Sequence, residues 1–221
     1  MQTVKLIRLG LLLGLLGSHA PGAFAQRGMD QININGQFVL AAKAGRIERV
    51  VALLQEGAKV NSRDRNGDSP LNTAAAKGDV ALVDVLLKAN ADVDLANLAG
   101  VTPLMGAAFS GNAEIVRKLL ASGGHIDPVD RVQKNAATYA AGNGCRDCLL
   151  ALIRAGTQVN AALKNELTLL MWAAAYGHES TVRLLLEQGA DRHLKDRRGK
   201  TAMDMAREGQ HTAVVRLLEE P

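Results

Sequence analysis

The sequence is poor in the residues and motifs from which catalytic and cofactor sites are built. Its 221 residues include five histidines, two cysteines, five prolines and only 3% aromatic residues. It has no glycine-rich phosphate-binding loop, no G-x-S-x-G turn and no H-E-x-x-H pair. His125 and His193 have no second histidine or carboxylate at a spacing that suits a metal ion. We therefore expect a protein that is not an enzyme and that holds no cofactor or metal.

A strong excess of one charge sign is also absent. The formal net charge is +4, and it falls by two without residues 1–25, which hold Lys5 and Arg8 but no acidic residue. Such a balance is not typical of nucleic-acid binding, so we expect no nucleic-acid partner. Basic residues do gather near the C-terminus, either as a solvated end of the chain or as a contact for an acidic partner: Lys195, Arg197, Arg198 and Lys200.

The N-terminal segment has the order of features found in secretory signals. Lys5 and Arg8 precede a leucine-rich stretch at residues 9–16, and an A-x-A site follows at residues 23–25. The apolar stretch is about half of the roughly 20 residues that a membrane span needs. We predict a cleaved Sec-type signal peptide over residues 1–25, with an uncleaved anchor as the alternative. The mature chain would have no membrane span and would be periplasmic or secreted further, beginning with a polar leader at residues 26–34.

The rest of the chain is governed by a repeat of 33 residues. Glycine recurs at this step at positions 45, 78, 111, 144 and 177. Aliphatic pairs keep the same step: Leu53-Leu54, Leu86-Leu87, Leu119-Leu120, Leu152-Ile153 and Leu185-Leu186. A third, incomplete series consists of Gly67, Gly100 and Gly199. A fixed period of about 20–50 residues is typical of a repeat array, in which stacked units share one core.

Each period predicts two helices and a turn. Val83, Leu86 and Leu87 lie at positions i, i+3 and i+4, which places an apolar stripe along one side of a helix. An alanine-rich stretch precedes this helix at residues 74–76, and its small side chains would let two helices approach closely. The recurring glycines are expected to end the helices, because glycine readily adopts the left-handed conformation common at helix C-termini. The pattern predicts an all-α solenoid of helix–turn–helix units with short extended fingers.

The motifs around these glycines resemble those of ankyrin repeats. Residues 67–71 and 100–104 read Gly-Asp-Ser-Pro-Leu and Gly-Val-Thr-Pro-Leu, like the start of such a repeat, and Gly177-His178 and Gly189-Ala190-Asp191 are similar to its later motifs. The resemblance covers residues 35–221 and implies about six units with finger hairpins: 35–63, 64–96, 97–129, 130–162, 163–195 and 196–221. The Thr-Pro pair is lost after the third unit, so weaker local hydrogen bonding is expected in the later units.

The resemblance also implies a function and a binding face. Ankyrin proteins bind protein partners along the finger tips and the concave side of the first helices, so we expect a monomeric interaction scaffold. In register, the implied contact residues are Arg65, Asn66, Asp68, Lys77, Leu98, Val101, Phe109, Arg131, Lys134, Lys164, Leu167 and Tyr176. The apolar members would form a contact patch, with scattered surface hydrophobes as the alternative. Tyr139 and Trp172 share one repeat position and are interpreted as core residues, with a partner contact as the alternative.

The two cysteines form a C-x-x-C motif at the predicted start of a helix. Cys145 is in register with Asp79, and Cys148 takes an apolar position in register with Leu82. We expect a structural disulfide, because the spacing permits one and a periplasmic location would supply the oxidant. Two inert thiols and a redox-active pair remain the alternatives. A thiol–disulfide or oxidative-stress protein that acts through Cys145 and Cys148 is therefore the second functional hypothesis.

Overall fold

The computed structural model describes residues 34–220, and within them the chain forms helices and turns without a β-strand. The first helix, α1, covers residues 34–43. The following helices are α2 (Ile47–Gln55), α3 (Pro70–Lys77), α4 (Val80–Lys88), α5 (Pro103–Ser110), α6 (Ala113–Ala121), α7 (Ala136–Gly142), α8 (Arg146–Arg154), α9 (Leu169–Ala175), α10 (Glu179–Glu187), α11 (Ala202–Glu208) and α12 (Thr212–Glu219). The all-α prediction is confirmed. The predicted signal peptide, and the leader before residue 34, lie outside the described residues.

The helices stack in two rows. The odd-numbered helices from α3 to α11 each contact the next odd-numbered helix, and the even-numbered helices from α2 to α12 do the same. We call these the inner row and the outer row. Each predicted unit from the second to the sixth contributes one helix to each row, and the first unit contains α1 and α2. Within residues 34–220, no helix is long and apolar enough to cross a lipid bilayer.

The core runs continuously between the rows, as the 33-residue step predicts. In the outer row the first leucine of each aliphatic pair is fully buried, as with Leu86, Leu119 and Leu152. In the inner row alanines such as Ala74 and Ala107 are fully buried, so the helices of that row lie close together. Burying one leucine side chain contributes about 1.5–3 kcal/mol, and this contribution recurs at every step of the array.

Each inner helix from α3 to α11 begins with a side-chain cap. The side chain of the residue before the helix accepts a hydrogen bond from the backbone N–H three residues later: Ser69, Thr102, Asn135, Thr168 and Thr201. Such a cap stabilises a helix by about 1 kcal/mol. The weaker hydrogen bonding expected in the later units is therefore not found at these caps, because asparagine and threonine supply the acceptor without the following proline.

Candidate functional site

The fingers are five short loops, one at the start of each unit from the second to the sixth (residues 64–68, 97–101, 130–134, 163–167 and 196–200). In four of them an Asp or Asn side chain accepts two backbone N–H groups of its own loop, at 2.8–3.0 Å: Asp64, Asn97, Asp130 and Asp196. These bonds fix the loop shape, because the side chain replaces a backbone acceptor in the turn. In the fifth unit Leu163 holds this position and a 3-10 turn, Lys164–Glu166, replaces the loop.

Backbone hydrogen bonds join neighbouring fingers at two junctions that contain a glycine, and the fingers of the fifth and sixth units are joined without one, since the N–H of Arg197 donates to the carbonyl of Asn165 at 3.1 Å. The N–H of Leu98 donates to the carbonyl of Asn66 at 3.0 Å, and the N–H of Arg131 donates to the carbonyl of Ala99 at 2.9 Å. Gly67 and Gly100 lie at these junctions with φ of +77° and +81°. A Cβ added to Gly67 would lie 2.9 Å from the Leu98 nitrogen, so a larger residue would push the fingers apart.

We number each finger by its unit, so the fourth finger is residues 130–134 and the fifth is residues 163–167. The junction between these two fingers lacks the glycine and the hydrogen bond. Gln133 replaces the glycine, and it keeps a left-handed φ of +66°. Among the described residues, no backbone hydrogen bond joins the carbonyl of Val132 to the N–H of Lys164. A cavity lies at this junction instead, lined by Val132, Gln133, Lys134, Thr138, Leu163, Lys164, Asn165, Leu167 and Trp172.

Beside this junction, aromatic side chains from three units form one continuous surface. The rings of Phe109 and Tyr139 meet edge to face with centroids 5.8 Å apart, and those of Trp172 and Tyr176 stack at 6.2 Å. The ammonium of Lys134 joins the two pairs, because its Nζ lies 4.4 Å from the centroid of the Trp172 ring and 5.6 Å from that of Tyr139. These five residues line one depression in the surface, which we call the aromatic groove.

The backbone of α7 forms the floor of the groove. Gly142 has no side chain, and a Cβ placed there would lie 3.7 Å from the Trp172 ring and 3.9 Å from that of Tyr176. The amide of Asn143 donates to the carbonyl of Phe109 at 2.6 Å, and the Nε2 atom of His178 lies 2.8 Å from the carbonyl of Gly142. These bonds tie α5, α7 and α10 together, so the groove is held by three units.

The groove has the chemistry of a binding surface. Burial raises the pKa of the Tyr139 phenol, and the hydrogen bond that its hydroxyl donates to the Asp130 carboxylate raises it further. This phenol stays protonated at physiological pH, so it is a hydrogen-bond donor and not a base. Among residues 34–220, no cluster of His, Cys, Asp and Glu side chains could hold a metal ion.

The structure brings only part of the predicted contact set together. Phe109 and Tyr176 line the groove with 59% and 56% of their surface exposed, and Lys134 lines it as well. Leu167 lines the neighbouring cavity. Leu98 is exposed on the third finger.

Other predicted contact residues have structural partners or lie elsewhere. The amide of Asn97 donates to the carboxylate of Asp68 at 2.7 Å, and the ammonium of Lys77 donates to the carbonyl of Lys43. Val101 is half-buried against the core. The rest line a separate depression at the first unit or stand exposed on the later fingers: Arg65, Asn66, Arg131 and Lys164.

The repeat register favours a core position for Tyr139 and Trp172, but the structure places them half-buried in the groove. Their inner sides pack against the core while their rings line the depression. Two features of the sequence could have identified them as groove residues: aromatic residues are few, and these two share one repeat position. Of the aromatic residues in the described part of the chain, only Phe38 lies outside the groove.

The cysteines lie at the start of α8 in the outer row, just after Asn143, which lines the groove. Cys145 and Cys148 are joined by a disulfide, with Cα atoms 5.3 Å apart. The Cys145 sulfur caps α8 by accepting the N–H of Cys148 at 3.2 Å, and Cys148 is fully buried. In the preceding unit, the capping Asn112 also donates its amide to the carbonyl of Gly78. The Cys145 sulfur lies 3.4 Å from the equivalent carbonyl of Gly111, but a disulfide sulfur has no proton to donate.

Stacked helix pairs with capped fingers between them define a helical repeat solenoid. A protein-family model described as "Ankyrin repeats (3 copies)" matches residues 38–131 and again residues 137–221. The chain belongs to the ankyrin repeat family, whose members generally mediate protein–protein interactions. A comparison with curated proteins gives no match.

Proposed function

We propose that this protein is a non-enzymatic scaffold that binds a protein partner in the periplasm, through the aromatic groove and the finger tips. The observation that carries the proposal is the position of the aromatic residues. They are scarce in the sequence, yet four of them form one surface on one side of the array. Large aromatic side chains dominate the energetics of protein interfaces, so such a cluster is typical of a contact site.

The exposure of the groove supports binding over packing. Phe109 and Tyr176 leave more than half of their surface in contact with solvent. A single exposed hydrophobe needs no explanation, but several adjacent ones mark a surface that another molecule covers. The rigid inner helices hold these side chains in place, so little order would have to be created on binding.

The proposed location rests on the sequence and on the disulfide. Residues 1–25, which lie outside the described residues, have the charged, apolar and small-residue regions of a Sec signal. Disulfides persist mainly in oxidising compartments, and Cys145–Cys148 fits one of these. N-terminal sequencing of the protein from the periplasmic fraction should begin at Gln26. Intact protein that begins at Met1 and stays in the cytosol would contradict this location.

The function is tested by capture of a partner from a periplasmic extract. Immobilised protein should retain a partner that the Phe109→Ala, Tyr176→Ala double variant loses. Val51→Ala is the control, because Val51 is also exposed, at 36%, but lies on α2 in the outer row, away from the groove and the fingers. Equal capture by all three proteins, or by none, would contradict a scaffold that acts through the groove.

The alternative is a thiol–disulfide or oxidative-stress protein that acts through Cys145 and Cys148. Its support is weaker, because the burial of Cys148 shields one sulfur from an attacking thiol. A Cys145→Ser, Cys148→Ser variant separates the two functions. The scaffold should keep its partner, whereas a redox protein would lose all activity.

A further inference from the structure

The fingers present their positive charges to solvent and turn their negative charges inward. Asp130 and Asp196 are buried in their loops, and the Asp64 carboxylate pairs with Lys43. Burial opposes ionisation of Asp64, but the hydrogen bond from Lys43 and those from backbone N–H groups outweigh it and lower its pKa. Within these described loops, Glu166 is the one exposed carboxylate. The exposed basic side chains are Arg65, Arg131, Lys164, Arg197 and Arg198.

Several of these cations have no carboxylate partner. Arg65, Arg131 and Lys164 form no ion pair with any described carboxylate, and neither does Lys134 in the groove. The outer row holds cations of both kinds. The ammonium of Lys118 lies 2.8 Å from the Asp84 carboxylate and 3.6 Å from that of Glu114, whereas Arg117 forms no ion pair with a described carboxylate. The fingers differ because their exposed cations outnumber their exposed carboxylates, and because one of their cations, Lys134, lies in the groove.

The groove combines an apolar surface with one of these cations. Lys134 is half-buried between the rings of Tyr139 and Trp172, where its ammonium has lost part of its contact with water. A charge in such a position interacts more strongly with an incoming carboxylate than a fully solvated one does. An apolar side chain placed over Gly142 would meet Trp172 and Tyr176 in the same depression.

Building on the proposed function, we infer that the partner contributes a linear acidic segment, with one apolar side chain seated in the aromatic groove over Gly142 and carboxylates paired with Lys134 and the finger tips. The positive charges of the fingers favour a negatively charged segment, and the apolar surface of the groove favours an apolar side chain as its anchor. A linear segment fits because the unpaired cations follow the stacking direction, from Arg65 in the second unit to Lys164 in the fifth.

A selection from random displayed peptides tests this inference without knowledge of the partner. The target is the protein purified from cells that express the full chain, and the probe is a library of random dodecapeptides. Enriched peptides should carry a net negative charge and at least one aromatic or large aliphatic residue. Their affinity should fall at least tenfold for Gly142→Leu, which fills the groove while every aromatic side chain stays, and at least tenfold for Lys134→Glu.

Two controls and one competitor keep the result specific. Arg117→Glu makes the same charge change as Lys134→Glu but on the exposed side of α6, and should bind the peptides as the unchanged protein does. Val51→Ala, on α2 in the outer row, should also leave binding unchanged. Heparin is added as an anionic polysaccharide. If it displaces the peptides completely and they share no apolar residue, the fingers form a general polyanion site and the inference is wrong.

The remaining outcomes also decide the question. Enriched peptides that are basic or uncharged, peptides that bind Gly142→Leu as tightly as the unchanged protein, or no enrichment at all would each overturn an acidic linear segment. The proposed function would survive any of these if the partner captured from extract is still lost by the Phe109→Ala, Tyr176→Ala variant. A failure of both experiments would remove the scaffold proposal as well.

Discussion

The second and third units follow the repeat closely, whereas the fourth and fifth depart from it. In the earlier pair, Gly67 and Gly100 let each finger bond to the next. In the later pair, Gln133 and Glu166 take the left-handed conformation without being glycine, and the bond between their fingers is absent. The cavity at the finger junction and most of the aromatic groove lie in this irregular region.

The difference separates two requirements on a repeat unit. The buried leucines and alanines and the caps of the inner helices recur in both regions, so the stacking of units does not depend on the finger glycines. Non-glycine residues with positive φ raise the energy of the folded state, and such strain tends to occur at functional positions. The departures from the pattern are therefore the better guide to binding, and the constant positions are the better guide to stability.

The largest expected loss of stability comes from core leucines, and it should be similar in the two regions. Leu119→Ala in the third unit and Leu152→Ala in the fourth each remove a fully buried side chain from the same step of the core. Each should lower the free energy of unfolding by about 2–5 kcal/mol, through lost burial and the cavity left behind. Urea denaturation measures both. A loss much smaller at Leu152 than at Leu119 would mean that the fourth unit is loosely packed in its core as well as at its finger.

Two finger substitutions, one in each region, should change the free energy of unfolding in opposite directions. Gly100→Ala forces a side chain into a left-handed position, with its Cβ 3.1 Å from the backbone of Asp130, and should destabilise by about 1–3 kcal/mol. Gln133→Gly should stabilise the protein by up to about 1 kcal/mol, because glycine adopts a positive φ without strain. The greater conformational entropy of glycine in the unfolded chain offsets part of this gain. A stabilising Gly100→Ala, or a destabilising Gln133→Gly, would contradict the assignment of strain to the fourth finger.

The disulfide should matter less than a core leucine. It closes a loop of only four residues, so it restricts the unfolded chain weakly. Replacement of Cys145 by Ser and Cys148 by Ala should lower the free energy of unfolding by about 1–2 kcal/mol, below the usual 2–4 kcal/mol. Thiol labelling under denaturing conditions, before and after reduction, checks that the pair is oxidised in the protein as isolated. Two freely labelled thiols before reduction would show that the pair is unbridged in the cell.

The smallest expected change again concerns the irregular half. Thr181 in α10 is fully buried and its Oγ1 has no hydrogen-bond partner among the described residues, whereas Leu82 and Ile115 hold this repeat position in the earlier units. Thr181→Val keeps the shape and removes the unpaired hydroxyl, so it should stabilise by about 1 kcal/mol. A rise in the thermal midpoint would show this, with Thr212→Val on the exposed start of α12 as the control. A drop at Thr181 would mean that its hydroxyl has a partner in solution.

The sequence predicted the fold well because the residues that determine the helices and turns recur at the same positions of successive units. The step of Gly78 and Gly111 located the turns, and the spacing of Leu86 and Leu119 located the buried side of each helix. The groove was predicted only in part, since its shape depends on residues from three units at once. The Trp172 ring lies beside Gly142 of the preceding unit, and a pattern within one repeat cannot carry that information.

Whether the groove is the binding surface is decided by the affinity of Tyr176→Ala for the captured partner or a selected peptide, measured together with its thermal midpoint. The affinity should weaken by about 1–3 kcal/mol, as for an interface anchor, while the midpoint stays close to that of the unchanged protein. Leu119→Ala, in contrast, should lower the thermal midpoint. If Tyr176→Ala unfolds the array as badly as Leu119→Ala, or binds as well as the unchanged protein, the groove is not the binding surface.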